Sequence, residues 1–217
     1  QKVSTDRGEF LVSMVAADLN STRVLVDTAS DGDCRDNCPA LPLATYVARN
    51  GAFAGINGSY FCPPDYPVCA GKVNSFDTLL MNKNKVYFNS SNNVYSNVPL
   101  VFFSGSSMGV RGSSSEWGRD TGVDSVIAMQ TLLVSGGNPT GAVGGKGAKT
   151  FIGTKGSTVY IGVVYGATFN DAGIVLKTMG IDNALNLDQG GSTALWSGGY
   201  KAGPGRNLPN AVIFVRK

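Results

Sequence analysis

The segment ALNLDQGGSTALW, residues 184–196, joins an apolar run, a carboxylate and two glycines. Its apolar start predicts a strand that ends at Asp188, and a second apolar run begins at Ala194. The intervening residues 189–193 have two interpretations. They are typical of a hairpin loop, in which Asp and Gly are common. Alternatively, Asp188 faces a cleft, where bare glycine backbone lets a ligand approach and offers N–H groups to an anion.

Length and charge limit the classes of protein to consider. The 217 residues suffice for one well-filled core, and the net charge of +3 comes from dispersed Lys and Arg side chains, so we expect no nucleic-acid partner. The sequence contains no apolar stretch of about 18 residues, so we expect no membrane span. The polar opening QKVSTDRGEF suits a mature chain whose signal peptide has been removed.

The ionisable residues narrow the possible chemistry. The chain has no histidine, which excludes Ser-His-Asp and Cys-His catalysis and most zinc sites. Glu9 and Glu116 are its only glutamates, so acid–base chemistry falls mainly to aspartates. The Asp-rich stretch 27–36 does not match the spacing of an EF-hand loop. We therefore expect no bound metal and no other cofactor, with a calcium ion at residues 27–36 as the open alternative.

The four cysteines lie in the first third of the chain and lack zinc-ribbon spacing. We expect two disulfides, with the local pairs Cys34–Cys38 and Cys62–Cys69 preferred, although spacing alone does not fix the connectivity. Disulfides would indicate an oxidising compartment and hence a secreted or periplasmic protein. The alternative is four buried thiols in a cytosolic protein.

The apolar pattern predicts one α+β domain over residues 1–217, with a large twisted mixed or antiparallel sheet and a few packed helices. A helix is expected over 42–50, and a second begins at Thr168, where Asp171 completes a variant capping box, and ends at Gly180. We expect hairpins between the strands at 10–17 and 22–29 and between those at 78–82 and 85–89. The other predicted strands are 52–57, 99–103, 125–129, 131–134, 158–165, 183–187, a return strand at 193–197, and 210–217.

Three further positions carry candidate polar groups. In GINGSYF, residues 55–61, Asn57 suits either a type I′ Asn-Gly hairpin turn or an amide that binds a sugar hydroxyl, with Tyr60 or Phe61 as an apolar wall. Lys149 precedes a strand, and Arg206 lies in a Gly/Pro loop. Taken singly, both cations are typical of solvated surface residues.

Together and in this order, these segments resemble the phosphodiester glycosidase family. Its I-N-G-G-F/Y-F segment is similar to residues 56–61, and its R-T-x-x-G segment to residues 149–153. Its N-L-D-G-G-G-S-S/T segment is similar to residues 186–193. An arginine also precedes a final N-A-I/V strand, as Arg206 precedes Asn210-Ala211-Val212. The resemblance runs from about residue 52 to the C-terminus.

Three residues depart from the family pattern. Lys149 stands where the family has arginine, which keeps the charge but loses the bidentate fork. Gln189 and Ser59 stand where the family has glycine, and Gln189 thereby places a side chain beside the expected catalytic loop.

The resemblance implies a hydrolase that breaks the C1–O bond of a sugar-1-phosphodiester and releases a free sugar and a phosphomonoester. The partner would be a carbohydrate or sugar-phosphate substrate. A non-catalytic glycan-binding module and a phosphodiesterase that cleaves P–O are the alternatives. The implied catalytic residues are Asp188, Asn57, Lys149 and Arg206, and the implied substrate-binding residues are Gly58, Ser59, Tyr60, Gln189, Gly190, Gly191, Ser192 and Thr193.

Overall fold

Strands dominate the computed structural model, which describes residues 1–89 and 96–217. Within these residues the helices are α1 (Leu43–Arg49) and α2 (Phe169–Thr178). The strands are β1 Lys2–Thr5, β2 Gly8–Asp18, β3 Thr22–Thr28, β4 Ala54–Asn57, β5 Leu80–Met81, β6 Tyr87–Phe88, β7 Leu100–Ser104, β8 Ser107–Arg111, β9 Ser125–Ala128, β10 Leu132–Ser135, β11 Asn138–Pro139, β12 Gly147–Lys155, β13 Thr158–Ala167, β14 Asn183–Asn186, β15 Leu195–Trp196, β16 Tyr200–Ala202 and β17 Asn210–Arg216.

The strands of the described residues form three sheets rather than one large sheet. Their orders are β1-β2-β13-β12-β14-β10-β11, β16-β15-β4-β17-β3 and β6-β5-β9-β7-β8, and every pairing is antiparallel. One buried cluster joins them, with Ile161 from the first sheet, Ile56 from the second and Val101 from the third. The chain is therefore a single sheet-dominated domain, and the α+β prediction holds only in this coarse form.

Helix α2 begins and ends where its sequence predicts. The Thr168 side chain accepts a hydrogen bond from the backbone N–H of Asp171, and the Asp171 carboxylate accepts one from the backbone N–H of Thr168, which completes the capping box. Gly180 then adopts a φ of +80°, a conformation that ends helices at little cost to glycine. The apolar face of α2, including Val175 and Leu176, packs against the seven-stranded sheet.

The predicted hairpin between residues 10–17 and 22–29 is wrong, and so is the hairpin interpretation of residues 189–193. Strand β14 pairs with β12 and β10, whereas β15 pairs with β4 and β16 in another sheet. The residues between Asn186 and Leu195 therefore cross from one sheet to the next instead of turning back in a hairpin. Strands β2 and β3 likewise enter different sheets. The β5–β6 hairpin is confirmed, with shorter strands than predicted.

Asn57 and Gly58 do not form a hairpin turn either, since β4 lies between β17 and β15. Gly58 passes so close to β17 that its backbone N–H donates to the carbonyl of Asn210 at 3.2 Å. The absence of a side chain at Gly58 permits this approach, because a Cβ there would overlap the side-chain oxygen of Asn210.

Both preferred disulfides are confirmed. Cys34 is bonded to Cys38, and Cys62 to Cys69. The second closes residues 62–69, called the disulfide loop below, which includes a short 3₁₀ turn at Pro67–Cys69.

We predict that Gly58→Ala destabilises the fold by about 1–3 kcal/mol, the usual cost of forcing an extra group into a packed interior. Gly145→Ala is the matched control, because an added Cβ there meets no described atom within 4 Å. Urea unfolding of both variants measures the difference. Equal midpoints for the two variants would contradict the close approach at Gly58.

Candidate functional site

A cavity of about 500 Å³ lies beside the crossing that follows β14. Its wall combines the crossing residues, the disulfide loop and the segment around Asp77. The polar side chains on the wall are those of Tyr60, Tyr66, Lys72, Asp77, Asp188, Gln189, Ser192 and Arg206. A concave pocket of this size with a few convergent polar groups is typical of a small-molecule site.

The backbone of Asp188 is fixed by hydrogen bonds from two sheets. Its N–H donates to the carbonyl of Gly58 at 2.9 Å. Its carbonyl accepts from the side-chain amide of Asn57 at 2.6 Å and from the hydroxyl of Thr150 on β12. The position of Asp188 therefore depends on how the two sheets meet, and it is set independently of any ligand.

The Asp188 carboxyl group is nearly buried, with 9% of the residue exposed. Burial raises its pKa to about 6, because a desolvated carboxylate is costly. Hydrogen bonds from the Ser192 side chain and the Gln189 backbone N–H oppose this shift, as does the charge of Arg206, and the charge of Asp77 adds to it. Such a carboxyl group changes protonation near pH 6, and strongly shifted pKa values of this kind cluster at functional sites.

Asp77 is a second carboxylate in the cavity that the sequence analysis does not identify. The backbone N–H of Asp77 donates to the carbonyl of Tyr60 at 3.2 Å, and Phe76 pairs with Phe61. Burial raises the pKa of Asp77, and the charge of Lys72 lowers it. No local motif marks Asp77, because only the pairing of two segments brings it to the site.

Arg206 lies where the sequence analysis expects a cation. Its guanidinium is 3.4 Å from the Asp65 carboxylate and lies 5.7 Å from the centre of the Tyr66 ring. The backbone N–H of Arg206 donates to the carbonyl of Gly191 at 2.8 Å, and the guanidinium packs so closely that a Cβ on Gly191 would overlap it. The absence of a side chain at Gly191 therefore leaves the space that the Arg206 guanidinium occupies.

Lys149 does not line the cavity, so the predicted phosphate contact does not fit its position. The residue is only 4% exposed, and its ammonium donates to the side-chain oxygen of Gln189 at 2.8 Å. The ammonium also lies 4.5 Å from the centre of the Phe169 ring, and desolvation lowers its pKa. Gln189, the partner of the Lys149 ammonium, is itself one of the residues that line the cavity.

The predicted sugar contact of Asn57 does not fit its position either, because the residue is fully buried and its amide is engaged within the protein. Besides donating to Asp188, the amide accepts from the backbone N–H of Ala194 at 3.1 Å. Ser59 is turned inward too, with its N–H 2.8 Å from the side-chain oxygen of Asn210. Asn57, Gly58 and Ser59 thus do not line the cavity, and their hydrogen bonds hold the backbone around it in place.

Some of the remaining predicted substrate-binding residues line the cavity and others lie outside its wall. Tyr60, Gln189, Gly190 and Ser192 line the cavity, whereas Gly191 and Thr193 do not. The Gln189 amide donates to the Tyr60 hydroxyl at 3.0 Å, and burial together with the Asp188 charge raises the pKa of Tyr60. Lys72 and Tyr66 are additional wall residues.

The described residues hold no cluster of three or more His, Cys, Asp or Glu side chains suited to a metal ion. Across the same ranges, none of the helices has the length and apolar character needed to cross a membrane.

Two carboxylates, two cations and a glycine-rich turn thus lie around one pocket. The chain belongs to the phosphodiester glycosidase family, because a profile of that family matches residues 50–215. A search of curated protein sequences finds no match.

Solved structures share the fold at low sequence identity. The catalytic domain of zebrafish N-acetylglucosamine-1-phosphodiester alpha-N-acetylglucosaminidase, auto-inhibited by its pro-peptide, is similar with a TM-score of 0.73 and 16% identity over 100% of this chain and 81% of that one. A hypothetical protein from Synechocystis gives 0.67 and 12%, over 100% and 61%. A putative exported protein from Burkholderia pseudomallei gives 0.60 and 11%, over 95% and 74%.

We predict that Asn57→Ala destabilises the protein by roughly 1–3 kcal/mol, because it leaves the buried backbone N–H of Ala194 without a partner and removes one of the two side-chain hydrogen bonds to the Asp188 carbonyl. The same change loosens the backbone that holds Asp188, so we expect its carboxyl group to become less buried and its pKa to fall toward the ordinary value. Chemical denaturation and ¹³C NMR of the carboxyl carbon measure the two effects. Asn138→Ala is the control, since Asn138 is exposed and remote. An unchanged Asp188 pKa in Asn57→Ala would contradict the positioning role.

Proposed function

We propose that this protein is a hydrolase that cleaves the C1–O bond of a sugar-1-phosphodiester and releases a free sugar and a phosphomonoester. The observation that carries the proposal is the presence of the near-buried Asp188 carboxyl group and the Arg206 guanidinium on the wall of one cavity. Membership of the phosphodiester glycosidase family supports the same reaction.

The leaving group explains why one cation on the wall is useful. An ordinary glycosidase must protonate a poor alkoxide leaving group. A phosphomonoester has a second pKa of only about 6, so it departs with little proton donation if its growing negative charge is stabilised. Arg206 supplies a positive charge that stabilises the departing phosphate. Losing such a preorganised group typically costs about 10²–10³ in rate.

Asp188 is assigned to C1, where positive charge develops as the bond breaks. In its ionised form it stabilises that charge, either as a nucleophile or by activating water as a base. Asp77 lies on the same wall and is assigned to exchange a proton with the attacking water. The cavity thus contains the two carboxylates that sugar hydrolysis commonly uses.

The disulfides support a particular location. Cys62–Cys69 closes a loop that forms part of the cavity wall, and Cys34–Cys38 closes another loop. Because such bonds persist in oxidising compartments, we propose that the protein works outside the cytosol, secreted or in the periplasm, on a carbohydrate or sugar-phosphate substrate.

We predict that hydrolysis of a sugar-1-phosphodiester in ¹⁸O-labelled water places the label in the sugar. The carboxylate at C1 directs water to carbon rather than phosphorus. Mass spectrometry of both products reads the outcome, and Asp188→Asn is the control that should fold but release no sugar. Label in the phosphate would instead indicate a phosphodiesterase. Ligand binding without any product would indicate a glycan-binding module.

We predict that kcat/KM falls as the pH is lowered through about 6, because Asp188 must be ionised and burial raises its pKa to about 6. The charge of Asp77 contributes to that rise, so Asp77→Asn should move the acidic limb to lower pH. Asp6→Asn, a change to an exposed aspartate in the β1–β2 turn, should leave the limb in place. A rate that falls above pH 6 would make Asp188 an acid and overturn this assignment.

A further inference from the structure

Lys149 is a buried cation whose hydrogen-bond partner is neutral. Its ammonium donates to the Gln189 side-chain oxygen at 2.8 Å and lies against the ring of Phe169. The ion pairs within residues 1–89 and 96–217 do not include Lys149. A buried charge without a counter-ion is costly, so this ammonium would gain from any anion that reached it.

Gln189 stands between that charge and the cavity. Its side-chain oxygen accepts from Lys149, its side-chain nitrogen donates to the Tyr60 hydroxyl at 3.0 Å, and its backbone N–H donates to the Asp188 carboxylate at 2.8 Å. The side chain is thus held at both ends, with the ammonium on one side and the cavity on the other.

The cations that do line the cavity each lie near a carboxylate. Arg206 is 3.4 Å from Asp65, and the charge of Lys72 acts on Asp77. Asp188 and Asp77 add negative charge to the same wall. The accessible positive charge is therefore small, and a ligand with a second negative charge meets repulsion without a second free cation.

We propose that Gln189 is a specificity-determining residue that keeps the charge of Lys149 out of the cavity, so that the site selects a singly charged phosphodiester over a doubly charged phosphomonoester. The identity of the ligands rests on the proposed function. A phosphomonoester carries about −1.5 to −2 at pH 7, whereas a diester carries one negative charge. The consequence is that the product binds weakly and leaves.

The test measures direct binding by isothermal titration at pH 7.5. Inorganic phosphate is the doubly charged probe and dimethyl phosphate the singly charged one. Gln189→Ala frees the Lys149 ammonium, so affinity for inorganic phosphate should rise about tenfold, as a charge-assisted contact allows. Affinity for dimethyl phosphate should rise much less. Gln130→Ala is the matched control, because this exposed glutamine lies outside the cavity wall.

Lys149→Met completes a double-mutant cycle. In the original background it should leave the affinity for inorganic phosphate unchanged, because Gln189 already separates Lys149 from the cavity. Combined with Gln189→Ala it should abolish the gain. Thermal melts confirm that each variant is folded.

The inference is overturned if Gln189→Ala leaves phosphate affinity unchanged, or if the gain persists without Lys149. It is also overturned if Lys149→Met alone weakens phosphate binding tenfold, since the ammonium would then reach the ligand directly. The binding cycle needs no turnover. If the ¹⁸O label appears in the phosphate but the binding cycle gives the expected affinities, the role of Gln189 in charge selection is supported and the proposed C1–O cleavage is contradicted.

Discussion

The carbonyl of Asp188 accepts hydrogen bonds from the Asn57 amide on β4 and the Thr150 hydroxyl on β12, and the site depends on this interaction. The two donors belong to different sheets, so a single peptide group joins them at the point where the chain crosses. The same contact fixes the backbone from which the Asp188 carboxyl group enters the cavity. Such a constraint orients a functional group before any ligand arrives, which is how binding sites reduce the entropy cost of ordering their residues.

The charges around the cavity follow from this frame. Burial raises the pKa of Asp188, and Asp77 and Arg206 act on it in opposite directions. Lys149 lies just behind, desolvated and held by a neutral amide. The site therefore has two carboxylates whose pKa values are raised by burial, an accessible guanidinium on Arg206 and the buried ammonium of Lys149. This balance is more specific than a generally positive pocket, since it separates ligands by the number of their charges.

The parts of the structure that depend on neighbouring residues were predictable. The capping box at Thr168 and Asp171, the turn at Gly180 and the two local disulfides all match. The segment around Asp188 was identified because an apolar strand, a carboxylate and glycines stand in sequence. The predicted ligand contacts of Asn57 and Lys149 do not fit their positions, because both residues are buried and bonded within the protein. A motif specifies which residue types are present, and burial then decides which of them reach the ligand.

The sequence by itself determined the family through its motifs, both helices, most of the longer strands and the place of Asp188 after a strand, because motifs, caps and periodicity are local properties. Tertiary structure alone decided that β14 and β15 enter different sheets, that Asp77 joins Asp188, and that Gln189 conceals Lys149. These depend on contacts between distant segments, whose geometry is set by how three sheets share one buried cluster. The spacing of residues along the sequence does not indicate which distant segment a side chain will contact.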